Sequence, residues 1–299
     1  VNQDSWFAGQ VGQKGFLAVV ADGMGGHQTG EVASQKAVRV LRDEIDRSRK
    51  HPPHAIAHAA QAANRAIHSL AQSNPAQDGM GTTLTTVFID DQVGLVGHVG
   101  DSRAYLIRGE EVRQLTYDHS WVAERVRQGL LSEEEARRHR WRNVITNALG
   151  ATPSFRLDLL YFEIRKDDRI LVCSDGITLL LSDKVLARTV RDHAPADAAA
   201  CLIAAANERG SPDNVTAVVL HVEQVERHEK RYSLPESTWE PGSVDISETM
   251  SGIRRVEEEF PSRTLLAKLR RQPWYPYRIW IIGSLYLILI FLLFSLWGR

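Results

Sequence analysis

Short apolar runs joined by very short turns constrain this chain more than any other feature. The runs Thr82–Asp90 and Val93–Val99 meet at Asp90-Asp91, and Ala104–Ile107 and Val112–Leu115 are joined by Arg108-Gly109-Glu110. Connections this short join antiparallel neighbours, because a parallel pair needs a long crossover. Further strands are predicted at Phe16–Ala21, Leu157–Ile164, Ile170–Cys173 and Val215–Val222. Helical spacing of apolar residues predicts helices over Glu31–Arg47, Ala55–Ser69, Ser120–Gln128, Glu133–Arg138 and Ala196–Arg209. Ser132 with Glu135 forms a capping box at one helix start, and Gly210 stands where the last helix should stop. Strands paired antiparallel, with helices grouped apart from them, predict an α+β fold and not a doubly wound sheet.

These patterns fill residues 1–222, which are expected to form one folded domain. Residues 223–278 are polar, carry scattered Pro and Gly, and show no sustained period; they are predicted to be a mostly disordered tether. Ile279–Trp297 then runs for 19 residues without a charge. As a helix it would be about 28 Å long, close to the hydrocarbon thickness of a bilayer. Trp274, Tyr275 and Tyr277 before it and Trp297 at its far end occupy interfacial positions. Lys268, Arg270, Arg271 and Arg278 lie on one side of the run against Arg299 on the other, so the body of the protein should stay on the cytoplasmic side. The expectation is a tail-anchored, single-pass protein of the cell (inner) membrane. The first residue is Val, with no basic or apolar leader after it, so no signal peptide is expected and the native start is expected to lie upstream.

Composition excludes several classes. With 36 basic against 37 acidic residues, a net charge of −1 gives no reason to expect a nucleic acid as partner. Two cysteines, Cys173 and Cys201, are too few for a disulfide framework or a four-cysteine zinc site, and both read as small core residues. His54 and His58, four apart in a helical stretch with His51 nearby, have a zinc-binding spacing but no third ligand implied. His98 and His119 read as packing or surface residues.

Chemistry is marked by where aspartates fall. Asp22 ends the run LAVVA and opens DGMGGH; Asp101 follows GLVGHVG; Asp175 ends ILVCS; Asp213 stands in SPDN just before VTAVVL. Each is a short carboxylate at the end of an apolar strand, where several strands can aim at one point. Grouped carboxylates repel unless a cation neutralises them, and an all-oxygen, aspartate-rich set suits Mg²⁺ or Mn²⁺. A two-metal carboxylate site activates water at neutral pH for in-line attack on phosphorus. Any one Asp-Gly reads more readily as a hairpin turn; four aspartates at strand ends, two of them followed by Gly, make a coincidental set of turns a poorer explanation.

The runs DGMGGHQTGE, Gly81–Leu84, Gly100–Ile107, Cys173–Gly176 and SPDNVTAVVL occur in order over about residues 2–222. Together they resemble the metal-dependent type 2C protein serine/threonine phosphatases of bacteria. The resemblance implies an αββα sandwich, two packed antiparallel sheets flanked by helices. It implies that Asp22 bridges two metal ions, with the Gly23 carbonyl on one and Asp213 on the other. Asp175 would join the Asp213 ion and, with Asp101, form a weaker third site. Asp4, Ser174 and Asn214 would act behind the metal ligands, and His27, after the glycines, is a further candidate. Asp118–Asn147 falls where the family has a flap, whose charges either meet substrate or form a solvated helix pair. Two departures stand out. The family's phosphate-clamping Arg would lie before the first residue here, and Met24 occupies the place of a His that animal members use as an acid.

The resulting expectation is metal-dependent hydrolysis of phosphoserine and phosphothreonine in proteins, without a phospho-enzyme, at a membrane that also holds a partner kinase. The alternatives are a weakly active anchored docking module for phosphoproteins and a hydrolase of small phosphate esters.

Overall fold

The computed structural model describes residues 1–12, 15–26, 29–90, 93–225 and 250–255. The run Ile279–Trp297 and the candidate His27 lie outside them. Among the described residues no helix is long and apolar enough to cross a membrane.

The chain opens with an antiparallel hairpin, β1 (Asp4–Val11) and β2 (Gly15–Met24), that pairs Asp4 with Asp22. The helices α1 (Thr29–Arg47) and α2 (Pro52–Ser73) follow. A short 3-10 turn leads into β3 (Gly81–Thr82), then β4 (Leu84–Asp90), β5 (Val93–Val99), β6 (Arg103–Arg108) and β7 (Glu111–Gln114). Two short helices, α3 (Trp121–Arg127) and α4 (Glu133–Arg138), lie within the predicted flap segment, and the capping box at Ser132 and Glu135 is formed. The chain continues through β8 (Leu157–Glu163), β9 (Arg169–Cys173), α5 (Asp175–Thr178), α6 (Asp183–Asp192), α7 (Pro195–Glu208) and β10 (Ala217–His221). A last strand, β11 (Met250–Arg255), runs parallel to β8 and falls inside the stretch read as a tether.

These strands form two sheets. One has the order β1-β2-β4-β5-β8-β11, with β3 also paired to β2; the other is β10-β9-β6-β7. Apart from β11, every pairing is antiparallel, as the short turns predict. Successive side chains of a strand point to opposite faces, and this sorts the layers. Leu17, Val19 and Ala21 of β2 join α1 and α2 in one core, while Ala18, Val20 and Asp22 point the other way. In the second sheet Tyr105, Ile107, Leu171 and Cys173 pack with α6 and α7, leaving Ala104, Leu106 and Val172 to face the first sheet. The result is helix, sheet, sheet, helix, an α+β sandwich. Both faces of the central strands are buried, which is why they read as unbroken apolar runs.

Several boundaries differ from the sequence reading. The predicted strand Thr82–Asp90 breaks at Thr83, whose backbone N–H turns to the Asp22 carbonyl at 2.9 Å. α2 starts at Pro52 and not at Ala55, because prolines in the first turn lose no helical hydrogen bond. The amphipathic helix α6 went unseen, since its buried face is only Leu186, Ala187 and Val190. Cys201 corrects the reading of both cysteines as core: Cys173 is buried, but Cys201 is exposed. The inward stripe of α7 is Ala198, Leu202 and Ala206, spaced by four, and Cys201 stands outside it.

Candidate active site

The four aspartates singled out by sequence stand at the same end of the two sheets. Asp22 lies opposite Asp4 in the β1–β2 register. Directly opposed residues of antiparallel strands hold their Cβ atoms about 5 Å apart, and like charges placed so repel. Cys173 pairs with both Arg103 and Ala217, so Asp101, Asp175 and Asp213 leave the second sheet at one edge, just beyond that row. Two links sew this edge to the first sheet. Ser174 Oγ donates to Asp4 Oδ2 at 2.8 Å, and the Gln3 N–H donates to Asn214 Oδ1 at 2.7 Å. Ser174 Oγ also accepts the Thr216 N–H at 3.0 Å, which fixes the hydroxyl between the sheets.

The Asp22 backbone is held from both sides. Its N–H donates to Thr83 Oγ1 at 2.8 Å, and its carbonyl accepts from Thr82 Oγ1 and from the Thr83 N–H, each at 2.9 Å. Thr83 Oγ1 lies 2.9 Å from Ser102 Oγ, which ties β2 to the turn bearing Asp101. His119 supports that turn: the Gly100 N–H donates to its Nδ1 at 3.1 Å, so its proton sits on Nε2, facing Asp158 Oδ2 at 3.1 Å. Sequence reasoning overlooked Thr82, Thr83, Ser102 and His119 as supports, because hydrogen bonding across strands has no local pattern. At Gly23 a Cβ would come within 2.0 Å of the Gly30 carbonyl oxygen, and at Gly176 within 2.1 Å of that of Asn214. Close backbone packing therefore demands glycine at both.

The electrostatics are those of a site short of positive charge. Asp4, Asp101 and Asp175 each keep one buried carboxylate oxygen with no hydrogen-bond partner among the described residues. Burial, then repulsion from Asp4, Asp175, Asp101 and Asp213, pushes Asp22 up to about 10. Burial and the charge of Asp175 push Asp101 up to about 8, and burial with Asp213 raises Asp175 to about 6. Asp4 is raised chiefly by burial. Asp213 is exposed and accepts the Asn214 N–H at 2.7 Å. Among the described residues no three His, Cys, Asp or Glu side chains stand close enough together to hold a metal ion as they are. What the cluster offers is an open set of hard oxygen donors, some buried and unpaired, which fits divalent cations that keep several waters. By contrast, His58 pairs with Glu44 at 3.5 Å, and no zinc-capable group forms around it and His54. His98 is fully buried between Thr85 and the Tyr117 carbonyl, and burial holds it neutral, down to about 3.

Beside the cluster lies a cavity of about 460 Å³, lined by Met24 on one side and by residues of the segment 145–156 on the other.

Known proteins resemble this chain in sequence and fold. The family profile of protein phosphatase 2C matches residues 1–200. The protein phosphatase PhpP of Streptococcus pneumoniae is 36% identical over 217 residues, covering 70% of this chain and 86% of that protein. The serine/threonine protein phosphatase PstP of Mycobacterium tuberculosis is 40% identical over 223 residues, 74% of this chain but 42% of PstP. The crystal structure of the Mycobacterium tuberculosis phosphatase PstP/Ppp superimposes with a TM-score of 0.70 at 37% identity, covering 75% of this chain and 93% of that one. The PstP catalytic domain in complex with two manganese ions gives 0.68 at 36% identity, over 75% and 93%. Fold, sequence and the carboxylate cluster agree, and the chain belongs to the protein phosphatase 2C family.

Proposed function

We propose that this protein phosphatase hydrolyses phosphoserine and phosphothreonine in proteins, using two divalent cations, Mg²⁺ or Mn²⁺, held by its aspartates. The observation that carries the reading is the convergence of Asp4, Asp22, Asp101 and Asp175, three of which (Asp4, Asp101 and Asp175) keep an unpaired buried oxygen, while repulsion among them raises Asp22. Asp22, the Gly23 carbonyl, Asp175 and Asp213 would hold the two ions, and Asp101 with Asp175 a weaker third. When bound, the ions supply charge neutralisation and the activation of water for attack at phosphorus. The protein's own residues hold this geometry. Thr82 and Thr83 fix the Asp22 backbone, and Ser174 and Asn214 join the sheets. Asp4, gripped at one oxygen by Ser174, would orient a water with the other, which has no partner among the described residues.

The stretch Ile279–Trp297 supports a location at the cytoplasmic face of a membrane, where a membrane serine/threonine kinase would be a natural phosphoprotein substrate. Turnover of a phosphothreonine peptide and of an aryl phosphate, with and without Mn²⁺, tests the chemistry. Turnover of neither would favour a docking module, and turnover of the aryl phosphate alone a small-ester hydrolase. Recovery of the full chain in the soluble fraction of cells would overturn the membrane location.

A further inference from the structure

The cavity beside the cluster begins at the end of β2, the strand that carries Asp22. Met24 lies two residues past Asp22; Gly81 pairs with Met24 and Thr82 with Gly23. On its other side Thr82 exchanges backbone hydrogen bonds with Leu149, at 3.0 and 2.9 Å. The far wall is therefore stitched to the segment that carries Asp22 and Gly23.

That wall is also preformed. Buried Asn64 of α2 accepts the Gly150 N–H at 2.6 Å and donates to the Thr152 and Pro153 carbonyls at 3.1 and 2.9 Å. Asn147 closes the loop on itself, accepting the Arg156 N–H at 3.0 Å and donating to the Arg156 carbonyl at 2.7 Å. Most of the lining is apolar or small and polar, and among the described residues Arg156 is its one charged side chain. Its guanidinium stands 3.5 Å from Asp158 Oδ1 with its side chain 43% exposed. Asp158 orients it there without closing on it as Asp118 closes on Arg103, at 2.9 and 2.7 Å.

We propose that this cavity receives the residues of the phosphoprotein next to the phosphorylated side chain, and that Arg156 selects an acidic side chain among them. The inference rests on the phosphoprotein reading above. With the phosphoryl group at the carboxylates, an extended substrate advances about 3.3 Å per residue, so a near neighbour in its sequence reaches the space between Met24 and Arg156. A guanidinium at that place favours a carboxylate and disfavours an ammonium.

The test is kcat/KM with Mn²⁺ for phosphothreonine peptides bearing Glu, Gln or Lys at successive positions on either side of the phosphorylated residue. At one such position Glu should exceed Lys by about three- to fivefold, mainly through KM, as suits a half-exposed pair. Arg156→Gln should bring that ratio to about one, and Arg156→Lys should keep its direction. Because each ratio is taken within one variant, loss of folded or metal-loaded enzyme cancels. No preference in the unsubstituted enzyme, or the same preference in Arg156→Gln, would overturn the assignment. Turnover of an aryl phosphate but of no phosphopeptide would instead overturn the phosphoprotein reading, and acid selection with it.

Discussion

Two aspartate sites, at opposite ends of β9, differ in how their charge is answered. Asp168, just before the strand, is wholly buried, yet both its oxygens are answered: Arg108 Nε and Nη2 each donate at 2.7 Å, and the Arg165 N–H donates at 2.8 Å. Asp175, just after the strand and on the order of 20 Å away, faces Asp4, Asp22, Asp101 and Asp213 and keeps an unanswered oxygen. A buried carboxylate with its own guanidinium holds the fold together. One among other carboxylates strains the fold until something positive arrives.

The comparison is broken most directly by removing each kind in turn. Asp22→Asn should lower metal-supported phosphopeptide turnover by at least about 10³-fold while leaving a folded protein. Near-normal turnover with added Mn²⁺ would sink the metal assignment. Asp4→Asn, behind the ligands, should cost about 10- to 100-fold; a loss as deep as that of Asp22→Asn would make Asp4 a ligand in its own right. Asp168→Ala should do the reverse. Taking the carboxylate from Arg108 should cost about 3 kcal/mol of stability, read by urea unfolding, with turnover per folded molecule unchanged. A stable Asp168→Ala protein would mean that this ion pair is dispensable.

Acidity sharpens the contrast. In metal-free protein, Asp22 and Asp101 are raised from 3.8 to about 10 and about 8. The folded state then holds protons that the unfolded chain has released. That contribution is complete below pH about 4 and is lost as pH rises through the folded values. His98 works the other way. Lowered from 6.5 to about 3, it contributes fully above pH 6.5, and the contribution is lost as pH falls toward 3. Melting temperature without metal should therefore fall between pH 7 and pH 9, and Mn²⁺ should recover more stability at pH 9 than at pH 6. Equal recovery at both would show that the carboxylates do not repel as described. The smallest effect is expected from Asp101→Asn, a loss in turnover within about tenfold, because its ion would be the weakest held; a loss equal to that of Asp22→Asn would place Asp101 in the core pair.

Much of the site was legible because Asp22, Asp101, Asp175 and Asp213 each follow or precede an apolar run, and a strand end is a local feature. Their convergence depends on register, which is not local. β1 escaped notice because its alternation is masked by Trp6, an aromatic that is 62% exposed, and with it went the pairing of Asp4 with Asp22. Asp168 was illegible for the same reason. It sits in Arg165-Lys166-Asp167-Asp168-Arg169, like any solvated turn, and only contact with a residue 60 positions earlier marks it as structural. The layer order came only with the family resemblance, and the break at Thr83 is set by hydrogen bonds to a strand 60 residues away.

The links from Gln3 to Asn214 and from Asp4 to Ser174 span 211 and 170 residues. During synthesis, β1 leaves the ribosome before β9 and β10, so its contacts at the cluster must wait until they have followed. Loop closures this long are slow to form and come late. A nascent or prematurely terminated chain therefore carries Asp4 and Asp22 without the neighbours that make them a site. Phosphatase activity therefore has to wait until β9 and β10 have been made, whatever follows them.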